Sequence, residues 1–206
     1  MELAWYGDSC CFIKGSDLAI LTNPPALPAG KASRLPSADV ILLSGAAFAP
    51  ALNYAPAKRK ALRNPGEFEI GGVMFSGIKT FREAAKGAPR EPNIVYRFSV
   101  ESLRICHLGE LVAAPSAEQA AAIGPVDILL LAIGEGGLPI ADAAETVRLI
   151  EPRVIVPLLL DPKPGDLVAR FLKELAMPST GPAAKLSLAK STLPPEPRVV
   201  LLERAA

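Results

Sequence analysis

The segment ADVILLSGAAFAP, residues 38–50, combines an apolar strand with a loop of small residues. The consecutive apolar residues Val40–Leu43 predict a strand that is buried on both faces, which is typical of a sheet covered by other layers. The loop that follows contains no histidine, cysteine or carboxylate. The segment therefore indicates a fold more clearly than a reaction.

The length and composition predict one soluble domain over residues 1–206. A chain of 206 residues and 21.6 kDa can bury a sizeable core, and average domain sizes argue against two independent domains. No apolar run approaches the roughly 20 residues that a spanning helix needs, so no membrane partner is expected. Glu2 and Asp8 stand where a secretory signal would be basic and then apolar, and we therefore predict a cytoplasmic location.

The cysteines and the charge exclude further classes. Cys10, Cys11 and Cys106 are an odd number without paired spacing, which argues against a disulfide framework and indicates buried thiols in a reducing compartment. A net charge of +1 gives no general attraction to nucleic acid. The basic run Lys58–Lys60 with Arg63 could contact a phosphate, but such runs are more often a solvated surface.

Periodicity and turn signals predict alternating strands and helices along most of the chain. The Ser116–Gln119 pattern predicts a capping box, and Asp166 is a predicted helix cap before Pro178 ends that helix. Asn23, before Pro24, is interpreted as a turn residue. The predicted strands and helices are a hairpin of Leu3–Ile13 and Leu18–Leu21, a short helical or irregular piece near residues 58–63, paired strands Asn93–Val100 and Leu103–Leu108, a strand–helix–strand unit of Asp127–Ile133, Ile140–Ile150 and Val154–Leu160, and a last strand Arg198–Leu202.

Several ordered segments carry a family resemblance. They are WYGDSCCFIKG from residue 5, TNP from residue 22, NPGEFEIGGV from residue 64, TFRE from residue 80, CHLGE from residue 106 and GEGG from residue 134. Together they resemble the metallo-β-lactamase-fold hydrolases, in particular the bacterial branch related to ascorbate-phosphate lactonases, over roughly residues 1–171. The resemblance implies an α/β (α+β) fold, a four-layer αββα sandwich of two mixed β-sheets flanked by helices.

The same resemblance implies where metal ligands would stand. Active relatives use histidines and carboxylates to hold one or two zinc-like ions that activate water. In this chain those positions are Gly45, Ala47, Ala49, Pro50, Arg82, Glu110 and Leu159. Of these only Glu110 could bind a cation, since a guanidinium has no lone pair to give. The whole sequence contains a single histidine, His107, which we expect to be a hydrogen-bonded core residue rather than a ligand.

Three hypotheses remain open. In the first, the protein is a metal-free, non-hydrolytic relative without a cofactor that binds a small molecule, a protein, a second copy of itself or an active paralogue. In the second, Asp8, Arg82, Glu83, His107 and Glu110 form a rebuilt catalytic site; the competing interpretation is that Arg82 pairs with Glu110 or Glu83 only to fill the vacated pocket. In the third, the protein is a metal-dependent hydrolase of a lactone or phosphodiester with Cys10, Cys11, Asp8 and Glu110 as unusual ligands.

Overall fold

The chain forms two β-sheets that pack face to face, with helices on the outside. A computed structural model describes residues 1–25, 35–48, 60–82, 90–160 and 165–205. The predicted fold class, two mixed sheets flanked by helices, is confirmed. No helix in these ranges is long and apolar enough to cross a membrane.

Within the described residues, the first sheet has six strands and the second has eight. In chain order, the strands of the first are β1 (Glu2–Gly7), β2 (Cys10–Lys14), β3 (Ala19–Thr22), β4 (Val40–Leu42), β5 (Lys60–Leu62) and β13 (Leu186–Ser187). Those of the second are β6 (Gly66–Ile70), β7 (Val73–Arg82), β8 (Glu91–Val100), β9 (Leu103–His107), β10 (Ile128–Ile133), β11 (Val154–Leu159), β12 (Ser179–Ala183) and β14 (Arg198–Leu202). The helices are α1 (Ala117–Ile123), α2 (Ile140–Ile150) and α3 (Leu167–Leu175).

The directions of the strands bring the carboxyl ends of several of them to one edge of the sandwich. In the first sheet the spatial order is β13-β1-β2-β3-β4-β5, and β3, β4 and β5 run parallel. In the second the order is β12-β14-β11-β10-β9-β8-β7-β6, and β9, β10, β11 and β14 run parallel. Because β1 is antiparallel to β2, and β2 to β3, the carboxyl ends of β1, β3 and β4 meet at this edge. The same reasoning through β8 places the ends of β7 and β9 together.

The apolar strand β10 explains why the layers stay together. Its residues Ile128 and Leu130 belong to the core between the sheets, whereas Leu129 and Leu131 pack under the helices. Both faces of the strand are therefore buried, which is why its sequence is apolar without alternation. Helix α2 contributes Val147 to the same outer cluster.

Several local predictions were exact and others need correction. The Ser116 capping box and the bounds of α2 and β14 are confirmed. Leu3–Ile13 is not one strand: it divides into β1 and β2 at a turn where Asp8 has a φ of +46°. The piece predicted as helical or irregular near residues 58–63 contains strand β5 at residues 60–62, which pair in parallel with β4; residues 58 and 59 lie outside the described residues. Asp166 occupies the cap position of α3 but its side chain makes no capping hydrogen bond.

Candidate functional site

Polar side chains gather at the edge where the strand ends of both sheets meet. Ser9 follows β1, Asn23 follows β3 and Ser44 follows β4, all on the first sheet. Arg82 ends β7 and Glu110 follows β9 on the second sheet. Loops after parallel strands are where sheet proteins commonly place their sites, because such loops converge there.

Asn23 joins three of these loops by its side chain. It is 2 % exposed and has a φ of +39°. Its Oδ1 accepts a hydrogen bond from the backbone N–H of Ser44 at 2.8 Å, and its Nδ2 donates to the Ser9 Oγ at 3.0 Å and to the Ser44 hydroxyl. Asn23 is therefore more than the turn residue that its sequence context predicted, because it cross-links the ends of β1, β3 and β4.

His107 takes part in the same network as a neutral ring. The backbone N–H of Gly109 donates to its Nδ1 at 3.0 Å, so the ring proton lies on Nε2, which donates to the Ser9 carbonyl at 2.9 Å. Burial lowers the pKa of His107 to about 4, with the Ser9 carbonyl opposing the shift. Both ring nitrogens are engaged, as expected for a hydrogen-bonded core histidine rather than a metal ligand.

Arg82 and Glu110 form an ion pair beside this network. Arg82 Nη1 donates to Glu110 Oε2 at 2.9 Å, and the Ser9 hydroxyl lies 3.5 Å from Oε1. Burial raises the pKa of Glu110, although the guanidinium and the Ser9 hydroxyl act in the opposite direction. The Arg82 Nε is buried and has no hydrogen-bond partner among the described residues. The pair thus neutralises most of its charge internally but leaves one donor unsatisfied.

Close backbone packing at Gly109 holds the network together. Gly109 has a φ of +67°, and a Cβ on it would lie 2.3 Å from Asn93 Oδ1 and 2.7 Å from the Ser44 Cβ. The Asn93 Oδ1 accepts the backbone N–H of Glu110 at 3.0 Å, and its Nδ2 donates to the Thr80 hydroxyl and the Leu108 carbonyl. Only glycine fits at residue 109 without displacing these groups.

The structure brings most of the predicted site residues to one edge. Arg82, His107 and Glu110 are linked through direct contacts or through Ser9, whereas Asp8 is exposed and acts on Glu110 only through its charge, which raises the pKa of that carboxyl. Of the positions named from the resemblance, Gly45 and Leu159 are half-buried and Ala47 is exposed. Glu83, Ala49 and Pro50 lie outside the described residues.

Sequence reasoning missed Ser9 and Asn93 as members of the network. Asn93 carried one usable signal, since it is an isolated polar residue at the start of an apolar run and is buried in the folded chain. Ser9 carried none, because its partners Asn23, His107 and Glu110 are distant in sequence.

The fold agrees with a match of the sequence to a known protein superfamily. The chain belongs to the β-lactamase superfamily: the family model described as "Beta-lactamase superfamily domain" matches residues 2–159. It is a member with the metallo-β-lactamase fold.

Individual relatives agree with that assignment. A UPF0173 protein of Pyrococcus furiosus is 24 % identical, the match covering 77 % of this chain and 82 % of the relative. A UPF0173 metal-dependent hydrolase of Pyrococcus horikoshii is 28 % identical over 63 % of this chain and 59 % of the relative. The crystal structure of a proposed Zn-dependent hydrolase of the metallo-β-lactamase superfamily from Thermotoga maritima superposes with a TM-score of 0.75 at 26 % identity, covering 98 % of this chain and 97 % of that one.

The metal that such relatives imply can be tested against the side chains present. A catalytic zinc needs about three protein ligands of imidazole, thiolate or carboxylate type. Within the described ranges no three histidine, cysteine, aspartate or glutamate side chains converge, and the one histidine of the sequence is engaged through both ring nitrogens. This donor set does not fit a zinc site of that kind.

Cys10 and Cys11, considered from the sequence as unusual metal ligands, do not complete a zinc site. Cys10 and Cys11 are neighbours on β2 and face opposite sides of the sheet, Cys10 in a small outer cluster and Cys11 in the central core. Burial raises the pKa of Cys10 to about 12 and that of Cys11 well above its usual value, so neither is a ready thiolate.

Proposed function

We propose that this protein does not carry out metal-dependent hydrolysis and that it acts in binding a small molecule or a protein. The observation that carries the proposal is the Arg82–Glu110 ion pair. In the resemblance, Glu110 stands at the carboxylate that bridges two metals and Arg82 at a metal-binding histidine. A permanent cation therefore lies 2.9 Å from the one ligand-type side chain that remains among the described positions.

Electrostatics supports this proposal beyond the count of ligands. A divalent cation bound to Glu110 would lie next to the guanidinium, and like charges at such distances repel strongly in a partly buried site. The carboxylate would also have to give up its hydrogen bond to Arg82, leaving that cation unpaired at considerable cost. The pair and a metal are thus alternatives at one site, and the chain supplies the pair.

Cofactors, partners and location follow as proposals. The protein works without a cofactor, and its partner is a small molecule, another protein, a second copy of this chain or an active paralogue. Nucleic acid is not a partner, because the net charge of +1 provides no general attraction to phosphates. We propose that it works in the cytoplasm.

A second candidate function is a hydrolase with a rebuilt, non-standard site acting on a lactone or phosphodiester. It is favoured by one observation: burial raises the pKa of Glu110, and a carboxyl of raised pKa is suited to acid–base work. Against it, the hydroxyl nearest to Glu110 belongs to Ser9, which is fully buried, and His107 is held by two hydrogen bonds. Neither side chain is free to meet a substrate.

Hydrolysis assays separate the two candidates. We expect the purified protein to show no turnover of lactone or phosphodiester substrates above a heat-denatured sample, with or without added Zn²⁺ or Mn²⁺. The second candidate instead predicts metal-independent turnover that falls at least about 100-fold in Glu110→Gln and is unchanged in Glu203→Gln, an exposed control. Metal-stimulated turnover would contradict the proposal and return the protein to the metal-dependent hydrolases.

A further inference from the structure

A cleft lies beside the Arg82–Glu110 network at the same edge of the sandwich. Its volume is about 430 Å³, within the range of small-molecule sites. It opens between the loops that follow β4 and β5 on one side and strands β7 and β8 on the other. Ser44 and Asn93 line it and also belong to the network, so the cleft is continuous with the site already described.

The described residues that line the cleft carry charge of one sign. Arg63 and Lys79 are among them and both are exposed, and none of the described lining residues is a carboxylate. Neither cation forms an ion pair within the part of the chain that the structure describes; Lys79 only lies 5.3 Å over the exposed Phe81 ring. Two exposed cations that lack an ion-pair partner among the described residues and line a concave site concentrate anions there.

The walls of the cleft are largely apolar. The larger apolar residues of the lining are Leu43, Pro65, Pro92 and Ile94. Pro65 and Pro92 are exposed, whereas Leu43 and Ile94 are almost fully buried, and Gly45 and Ala46 add little bulk. The Asn64–Pro65 turn packs closely against β7 because Gly77 has no side chain: a Cβ at residue 77 would lie 3.1 Å from the Asn64 carbonyl oxygen. A mostly apolar lining with two exposed cations suits a ligand that has an apolar body and an anionic head.

We infer that this cleft binds a small amphipathic anion, a carboxylate or phosphate monoester carried on a short apolar or aromatic group. The inference rests on the proposed function, since it names the ligand class of a binding protein. Arg63 pairs with two oxygens of the head, Lys79 supplies the second charge, and the exposed Pro65 and Pro92 cover the body. Arg63 ends the basic run noted in the sequence, and the cleft gives that residue a role other than solvation.

Nuclear magnetic resonance titration of the intact protein tests the inference. The probes are phenylacetate, phenyl phosphate, inorganic phosphate and the neutral phenylacetamide, followed at the backbone amides of Gly45, Ala46 and Asn64. We expect saturable shifts at these amides with one or both aromatic anions, and binding at least about tenfold weaker with phenylacetamide and with inorganic phosphate. Which aromatic anion binds more tightly distinguishes a carboxylate head from a phosphate head.

Paired variants supply the control. Arg63→Gln with Lys79→Gln removes both cations and is expected to weaken binding of the better anion at least about tenfold. The control variant, Lys14→Gln with Arg170→Gln, also removes one lysine and one arginine charge, but at exposed positions that do not line the cleft. We expect it to bind the anion with the affinity of the parent protein. The inference is overturned if the two double variants bind the better anion with equal affinity, or if phenylacetamide or inorganic phosphate binds the parent as tightly as that anion does. It is also overturned if the shifts are confined to another surface or do not saturate.

The outcome is separable from that of the proposed function. The titration is made in the presence of a chelator, so anion binding there does not depend on any metal. If the titration fails and no metal-dependent hydrolysis is found, only the inference about the cleft ligand is wrong. If metal stimulates hydrolysis and the titration succeeds, the proposed function is wrong and the inference about the cleft stands.

Discussion

Replacing Gly109 by alanine is expected to lower the free energy of unfolding by about 3 kcal/mol or more, which would be a large part of the stability of a typical domain. Two costs combine in this variant. A left-handed φ of +67° costs a residue with a Cβ about 1 kcal/mol or more. The new methyl would also lie 2.3 Å from the Asn93 Oδ1 and must displace that side chain from the Glu110 backbone N–H.

Gly72→Ala is the matched control for Gly109→Ala. Gly72 has a similar φ of +75°, and a Cβ there would meet no atom within 4 Å. It therefore carries only the backbone cost, about 1 kcal/mol. Chemical denaturation of both variants measures the difference, which reports the close packing of the edge network. Equal losses in the two variants would contradict the packing that we describe around Asn93 and Ser44.

Acid is expected to destabilise the protein between about pH 6.5 and pH 4 through His107. Burial lowers the pKa of this ring to about 4 in the folded state, against about 6.5 in the unfolded chain. Between these values the unfolded chain binds a proton that the folded protein does not, so stability falls as the pH falls. The loss is complete near pH 4 and amounts to about 3 kcal/mol.

Denaturation curves from pH 7 to pH 4 check this prediction. His107→Gln lacks the titrating group and is expected to lose most of the pH slope, although it is less stable at pH 7. Glu110 acts in the opposite direction, because its pKa is raised by burial and the folded state takes up a proton first as the pH falls. Glu110→Gln should therefore steepen the acid loss. A pH-independent stability in the parent protein would contradict the buried, neutral ring.

Local sequence patterns determined the parts of the fold that were predicted well. The bounds of α2 and the burial of β10 follow from helical periodicity and from an unbroken apolar run, which are properties of neighbouring residues. The division of Leu3–Ile13 into two strands was not predicted. The turn at Asp8 depends on a left-handed backbone conformation, which aspartate can adopt but which the presence of an aspartate does not predict.

The site was predictable only as far as residue types allowed. The scarcity of histidine is visible in the sequence, as is Arg82 at a position that the resemblance assigns to a metal ligand. Of the two partners proposed for Arg82, Glu110 is observed and Glu83 lies outside the described residues. The role of Asn23 was not visible, because it depends on Ser9 and Ser44, which reach it only after the sheets form. Contacts between residues far apart in sequence are set by topology, which spacing alone does not encode.

The metal content of the protein, purified without chelators from cells supplied with zinc, iron and manganese, tests the central claim most directly. We predict far less than one ion of any of these metals per chain after dialysis, and no saturable zinc binding by calorimetry. The reasons are that Glu110 already forms an ion pair with Arg82 and that no three histidine, cysteine, aspartate or glutamate side chains converge among the described residues. One tightly held transition-metal ion per chain, retained through dialysis and lost in Glu110→Gln, would contradict the account.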